Sequence, residues 1–146
     1  MKKLILLTLL LLHLLTFSQN NYWQQEADYE MVIDVNVQNH TYNGTQKLVF
    51  TNNSPETLDR VFYHLYFNAF KPGTDLEQNS RYSTDDSRTM SKNILMLDEN
   101  DWGDVQIKWM LQDGKPLEFK VEETILDVTL ERPIKSGEST TLEMEF

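Results

Sequence analysis

The stretch Asp104–Phe146, DVQIKWMLQDGKPLEFKVEETILDVTLERPIKSGESTTLEMEF, decides the fold because it alternates like an almost uninterrupted antiparallel meander. Val105, Ile107, Trp109 and Leu111 alternate with Gln106, Lys108 and Gln112, which is the pattern of a half-buried strand, with only Met110 on the polar side. Asp113-Gly114 follows, and Asp-Gly between two alternating runs predicts a type I′ hairpin. Leu117, Phe119 and Val121 lead back. Leu126, Val128 and Leu130 make a third strand, expected to stop at Pro133, which has no N–H for a ladder. Lys135-Ser136-Gly137-Glu138 turns into a fourth strand carrying Leu142, Met144 and Phe146. Because the sequence ends at an apolar residue inside that pattern, we expect it to be the front piece of a longer protein.

Working outward, Tyr29, Met31, Ile33, Val35 and Val37 alternate with Glu30, Asp34, Asn36 and Gln38 and predict the first clear strand of the chain. His40 to Gly44 is expected to turn, with Asn43-Gly44 suited to positive φ, and Leu48 and Phe50 mark the inner face of the returning strand. Asn52-Asn53-Ser54-Pro55 is a further turn cluster. From Leu58 to Phe67 the run Val61-Phe62-Tyr63-His64-Leu65-Tyr66-Phe67 leaves neither face polar. It suits a strand covered on both sides, or one with a face under a neighbouring domain, better than a short helix. Between Lys71 and Asp104 the pattern dissolves into a long irregular loop, relieved only by Ile94-Leu95-Met96-Leu97. At least seven short strands and no long amphipathic helix define an all-β class. The expected architecture is an antiparallel β-sandwich or saddle-shaped sheet pair with one long irregular loop.

The N-terminus reads as a signal peptide over residues 1–18. Lys2-Lys3 precede the apolar run Leu4–Leu15, and Thr16-Phe17-Ser18 places cleavage after Ser18. A retained anchor is the alternative, but the run falls short of the roughly 20 residues that span a bilayer. Export to the periplasm or the medium follows, with no membrane association after cleavage. Loss of the two lysines takes the formal charge from −10 to −12, and residues 19–146 make one β-sandwich domain. Such acidity argues against nucleic acid or anionic lipid as a partner. With no cysteine there are no disulfides, so stability must come from the apolar core.

The sequence presents no catalytic constellation. Only His40 and His64 remain after the signal; zinc needs three or four converging ligands, so His64 reads as a core or interface residue and His40 as a solvated turn residue. Asp98-Glu99-Asn100-Asp101-Trp102-Gly103-Asp104 fails as a calcium loop, because Trp102 and Trp109 occupy positions that need oxygen ligands. There is no Gly-x-Ser-x-Gly elbow and no phosphate-cradling glycine loop. Asn39, Asn43 and Asn52 each open an N-glycosylation pattern, which matters only in a eukaryotic secretory route. No catalytic, cofactor-binding or metal residue is assigned.

The order of segments resembles the start of exported M1-family aminopeptidases, the gluzincin zinc metallopeptidases. The resemblance rests on Tyr22-Trp23-Gln24-Gln25 with Ala27-Asp28-Tyr29, on Tyr42-Asn43-Gly44 before Leu48-Val49-Phe50-Thr51-Asn52, and on Leu58 to Asn68. Asp113-Gly114-Lys115-Pro116-Leu117 and Pro133-Ile134-Lys135-Ser136-Gly137-Glu138 complete it, so that it covers about Tyr22 to Phe146. The resemblance implies a saddle-like β domain that packs against the catalytic domain of the same polypeptide and helps close the substrate cleft. The family's His-Glu-x-x-His with its downstream Glu and its Gly-x-Met-x-Asn motif lie in the following domain and have no counterpart here. Zinc and the peptide substrates would therefore belong to that missing domain, which we expect to meet this chain through Leu58–Phe67. The alternative is a free-standing secreted β-sandwich module that binds glycan or protein, with Trp23, Trp102 or Trp109 as stacking platforms.

Overall fold

The computed structural model describes residues 22–81 and 94–146; the signal segment and the middle of the long loop lie outside them. In chain order the elements are β1 (Glu26–Asn36), β2 (Thr41–Thr51), β3 (Leu58–His64), α1 (Asp75–Arg81), β4 (Trp109–Gln112), β5 (Lys115–Pro116), β6 (Phe119–Glu122), β7 (Ile125–Ile134) and β8 (Ser139–Glu145). The strands form two antiparallel sheets, β1-β2-β8-β4-β5 and β3-β7-β6. The fold is the expected all-β, sandwich-like pair of sheets.

The core lies between the sheets. Leu126, Val128 and Ile134 of β7 are wholly buried and pack in one cluster with Leu48, Met110, Leu142 and Met144 of the larger sheet. Each such side chain contributes about 1.5–3 kcal/mol by leaving water. Asn52, also wholly buried, ties the cluster's edge together. Its Nδ2 donates to Ile134 O at 2.9 Å and Glu56 O at 2.7 Å, and its Oδ1 accepts from Ser54 Oγ at 2.6 Å. The Asn52–Pro55 turn is thus held from inside, and burial closes Asn52 as a glycosylation acceptor.

The meander departs from its sequence pattern in three places. Met110, expected on the solvent side, is in the core, while Trp109 is partly exposed. The cause is a shift of phase just before β4. Lys108 N–H donates to Glu145 O at 2.8 Å while Trp109 is the ladder partner of Glu145, so two residues face one, as in a β-bulge. Val105 and Ile107 still pack against the core, but from an irregular segment. Second, Asp113 (φ 50°) and Gly114 (φ 81°) make the expected hairpin, but its return strand is short: Lys115–Pro116 pair with β4, Leu117 N–H donates to Met110 O at 3.0 Å, and Phe119–Glu122 then crosses to pair with β7 in the smaller sheet. Third, β7 does not stop at Pro133. Pairing jumps from Arg60↔Thr129 to Leu58↔Ile134, so Pro133 sits in an irregularity where no ladder bond is required of it.

Gln112 completes that irregularity from the opposite sheet. It was expected on a polar face, but it is 2% exposed. Its Nε2 donates to Arg132 O at 2.8 Å and to Thr140 Oγ1 at 3.1 Å, and its Oε1 accepts from Arg132 N–H at 3.0 Å. A side-chain amide thus stands in for the missing strand neighbour of Arg132.

The β1–β2 turn lies at Val37–His40, ahead of the expected His40–Gly44 and sharing only His40 with it, with His40 at φ 53°. Asn36 Oδ1 accepts from the N–H groups of Gln38 and Asn39, both at 3.0 Å, which starts the turn. Asn43-Gly44 is not a turn but part of β2. Gly44 exchanges two backbone bonds of 2.9 Å with Phe146, and a Cβ there would lie 2.8 Å from both Phe146 Cζ and Val32 O. The glycine is required by close approach, not by positive φ.

Part of the loop after β3 is ordered. Thr74 and Glu77 cap the start of α1 in a variant of the capping box, with Glu77 reaching Gly73 rather than Thr74. Glu77 N–H donates to Thr74 Oγ1 at 3.4 Å, and Gly73 N–H donates to Glu77 Oε2 at 3.2 Å. This Thr-x-x-Glu signal was present in a stretch read as irregular. The ends of the excursion meet: Lys71 pairs with Asp104, and Gly103 N–H donates to Phe70 O at 3.3 Å. Asn68 bridges the base, accepting from Val105 N–H at 2.7 Å and donating to Glu123 O at 3.1 Å.

Candidate functional site

Sheet edges lie exposed where the sandwich opens. β1, the expected alternating strand, is an edge strand with every residue exposed. Leu58–Phe67 was expected to be a strand covered on both sides, or one with a face under a neighbouring domain. It is an edge strand only to His64, after which Tyr66–Phe70 coils as a 3₁₀ helix. Val61, Tyr63 and Leu65 face the core, while Phe62 is 62% exposed. The smaller sheet has three strands and the larger five, so the inner face of β1 is left uncovered.

The result is an open groove of about 480 Å³. Met31, Ile33 and Val35 of β1 line it; β2 and β8 supply Tyr42, Gln46 and Met144. The end of β3 and the turn after it add Tyr63 and Leu65 to Phe67. An aromatic cluster closes one end, with Tyr42 5.9 Å from Phe146 (edge-on) and 6.1 Å from Phe67. His64 borders the groove and stacks on Tyr66 at 5.2 Å, beside aromatic residues as the alternation implied, but exposed rather than in the core.

Two residues that line this apolar groove each bury a polar atom without a partner among the described residues: Nε2 of Gln46, which is 8% exposed, and Oη of Tyr63. Burial, with a smaller contribution from Tyr29, pushes the Tyr63 hydroxyl well above the ordinary phenol range, so it stays a neutral donor. An unpaired buried donor costs about 1–3 kcal/mol.

A second, polar cavity of about 420 Å³ lies between His40–Tyr42 and Glu99–Gln106. Asp104 there is held below the usual carboxylate range by hydrogen bonds from Gln106 and Lys71. Among the described residues, no group of three or more His, Cys, Asp or Glu is placed to hold a metal ion. The three tryptophans do not share a site. Trp102 borders the polar cavity and donates to Leu97 O at 3.2 Å; Trp109 borders another and donates to Glu145 Oε2 at 2.7 Å.

Sequence reasoning missed the groove as a site. The alternation of β1 marked its apolar wall, but no local signal showed that nothing covers it. Gln46 gave no signal, being one polar residue in an otherwise ordinary strand.

Fold and site together define a two-sheet antiparallel β domain with an open apolar groove between two sheet edges. No family model matches the chain, and no curated protein does. Among solved structures, the chain is similar to a mutant M1 zinc metallopeptidase of Deinococcus radiodurans bound to a Tyr-Ser-Ala substrate. The TM-score is 0.43 at 12% identity, and the match covers 83% of this chain and 19% of that one. The chain therefore spans about a fifth of the length of the peptidase that it matches.

Proposed function

We propose that the chain is the non-catalytic N-terminal β domain of an exported M1-type zinc aminopeptidase. Zinc, the catalytic groups and the peptide substrate belong to a following domain of the same polypeptide. The observation that carries this reading is the apolar groove, which no described element covers, with the exposed aromatic residues Tyr66 and Phe67 lining it. Contiguous apolar surface of this kind marks a protein contact rather than a finished exterior. It coincides with Leu58–Phe67, the segment expected to meet the catalytic domain. The order of sequence motifs from Tyr22 to Phe146 supports the same reading. In it, residues 1–18 direct export to the periplasm or the medium, and this chain closes one side of the cleft without contributing a ligand to zinc.

The test is the coding region past Phe146. The expected continuation contains His-Glu-x-x-His with a downstream Glu; a stop codon, or a continuation without that motif, refutes the reading. The chain as it stands should take up no stoichiometric zinc, measured by metal analysis after dialysis. Tight binding of one equivalent would overturn the division of roles. Nothing in the arrangement of Trp23, Trp102 and Trp109 favours a glycan-binding module.

A further inference from the structure

β1 is an edge strand of 11 residues, and its two faces differ in kind. Met31, Ile33 and Val35 point into the groove. Alternation puts Asp28, Glu30 and Asp34 on the other face, with Val32 between the last two; Lys47 of β2 stands opposite Glu30, and no Lys or Arg lies in the strand itself. The strand carries no Pro, no Lys and no register shift against β2, and only its acidic side chains guard the edge. Between the faces runs a backbone edge that no described strand pairs.

We propose that this edge takes an extended segment of the adjoining domain as a sixth strand beside β1. Alternate side chains of that segment are apolar and enter the groove; those between them are basic and lie along the Asp28–Glu30–Asp34 row. The proposal rests on the interdomain reading above and names the chemistry of the partner. Main-chain bonds along an exposed edge supply affinity in strand addition, and the alternating side chains supply selectivity. The acidic row favours a basic partner over a second copy of this chain: antiparallel pairing of β1 with itself centred on Met31 sets Asp28 opposite Asp34, like charges that destabilise that register, and a second β1 brings no Lys or Arg to any register.

The experiment uses the chain as it stands with a blocked peptide of alternating valine and lysine, and with the valine–glutamate counterpart. Binding is followed by calorimetry and by hydrogen exchange of the β1 amides. The valine–lysine peptide should bind and slow exchange in β1, and the valine–glutamate peptide should bind at least about fivefold more weakly. Glu30→Lys with Asp34→Lys should reverse that preference, and Ile33→Asp should abolish binding by placing a charge in the groove. These positions lie on an exposed strand, so loss of folding does not confound them. Equal binding of both peptides, unchanged preference in the charge-reversed variant, or no protection of β1 refutes strand addition. In a protein extended past Phe146, the β1 amides should already be protected and the peptide excluded. Free β1 amides there refute the adjoining domain as the source. Absence of a His-Glu-x-x-His continuation would remove the peptidase reading while leaving the peptide titration to decide the strand site.

Discussion

Replacing Gln112 by Met keeps the side chain's length and removes its three hydrogen bonds to Arg132 and Thr140. Each bond contributes about 1 kcal/mol net. Burial of the thioether in place of an amide offsets about 1 kcal/mol. The difference leaves a destabilisation of about 2 kcal/mol, or roughly 8 °C in Tm for a domain of this size. Urea unfolding should show a lower midpoint with an unchanged slope, because the surface exposed on unfolding is the same. Exchange at the Arg132 amide should accelerate beyond the global change. The companion variant, Gln112→Glu, keeps the acceptor for Arg132 N–H but sets a carboxylate against Arg132 O in the core. Burial raises the pKa of the new carboxyl in the folded state above its unfolded value. This variant should therefore be weaker than Gln112→Met at neutral pH and recover as the pH falls and the group becomes a donor. A loss under 0.5 kcal/mol for Gln112→Met, or no acid recovery for Gln112→Glu, would refute the claim that this amide serves as a strand for Arg132.

Gly44→Ala should cost about 1–3 kcal/mol by overpacking, since the new Cβ meets Phe146 Cζ and Val32 O at 2.8 Å. Combining it with Phe146→Ala should recover only part of the loss, because Val32 O stays; full additivity in denaturant titrations would count against the contact. Asn52→Ala should lower stability by about 3 kcal/mol, through five lost side-chain bonds, and loosen the turn it organises, which proteolysis between Asn52 and Glu56 would report. Asp113 is held below its ordinary value of 3.8 by the Thr141 N–H and, beyond that, by Arg132 and Thr140. Its stabilising contribution is present above that ordinary value and is lost as pH falls through the lowered one. Asp113→Asn, which keeps the turn's positive φ accessible, should flatten the acid limb of the stability curve below about pH 4.

The alternating stretches determined most of the architecture. Leu48, Leu126, Val128, Leu130 and Leu142 reach the core as their spacing implies, and Asp113-Gly114 and Ser136-Gly137 turn where turn chemistry places them. These are local properties, set by a side-chain period of two and by residues that tolerate positive φ. Phase and partnership were not legible in the same way. Met110 is buried because the bulge at Lys108–Trp109 shifts the strand's phase, and the shift exists only against Glu145, some 36 residues away. Gly44 looked like a turn glycine, and only the ring of Phe146 shows why a side chain cannot stand there. The faces of β1 were read correctly as apolar and polar, but whether an apolar face becomes core or groove depends on how many strands the opposite sheet contains. That number is a property of the assembled sheets and of no single strand, which is why the groove, and the edge beside it, emerged only in three dimensions.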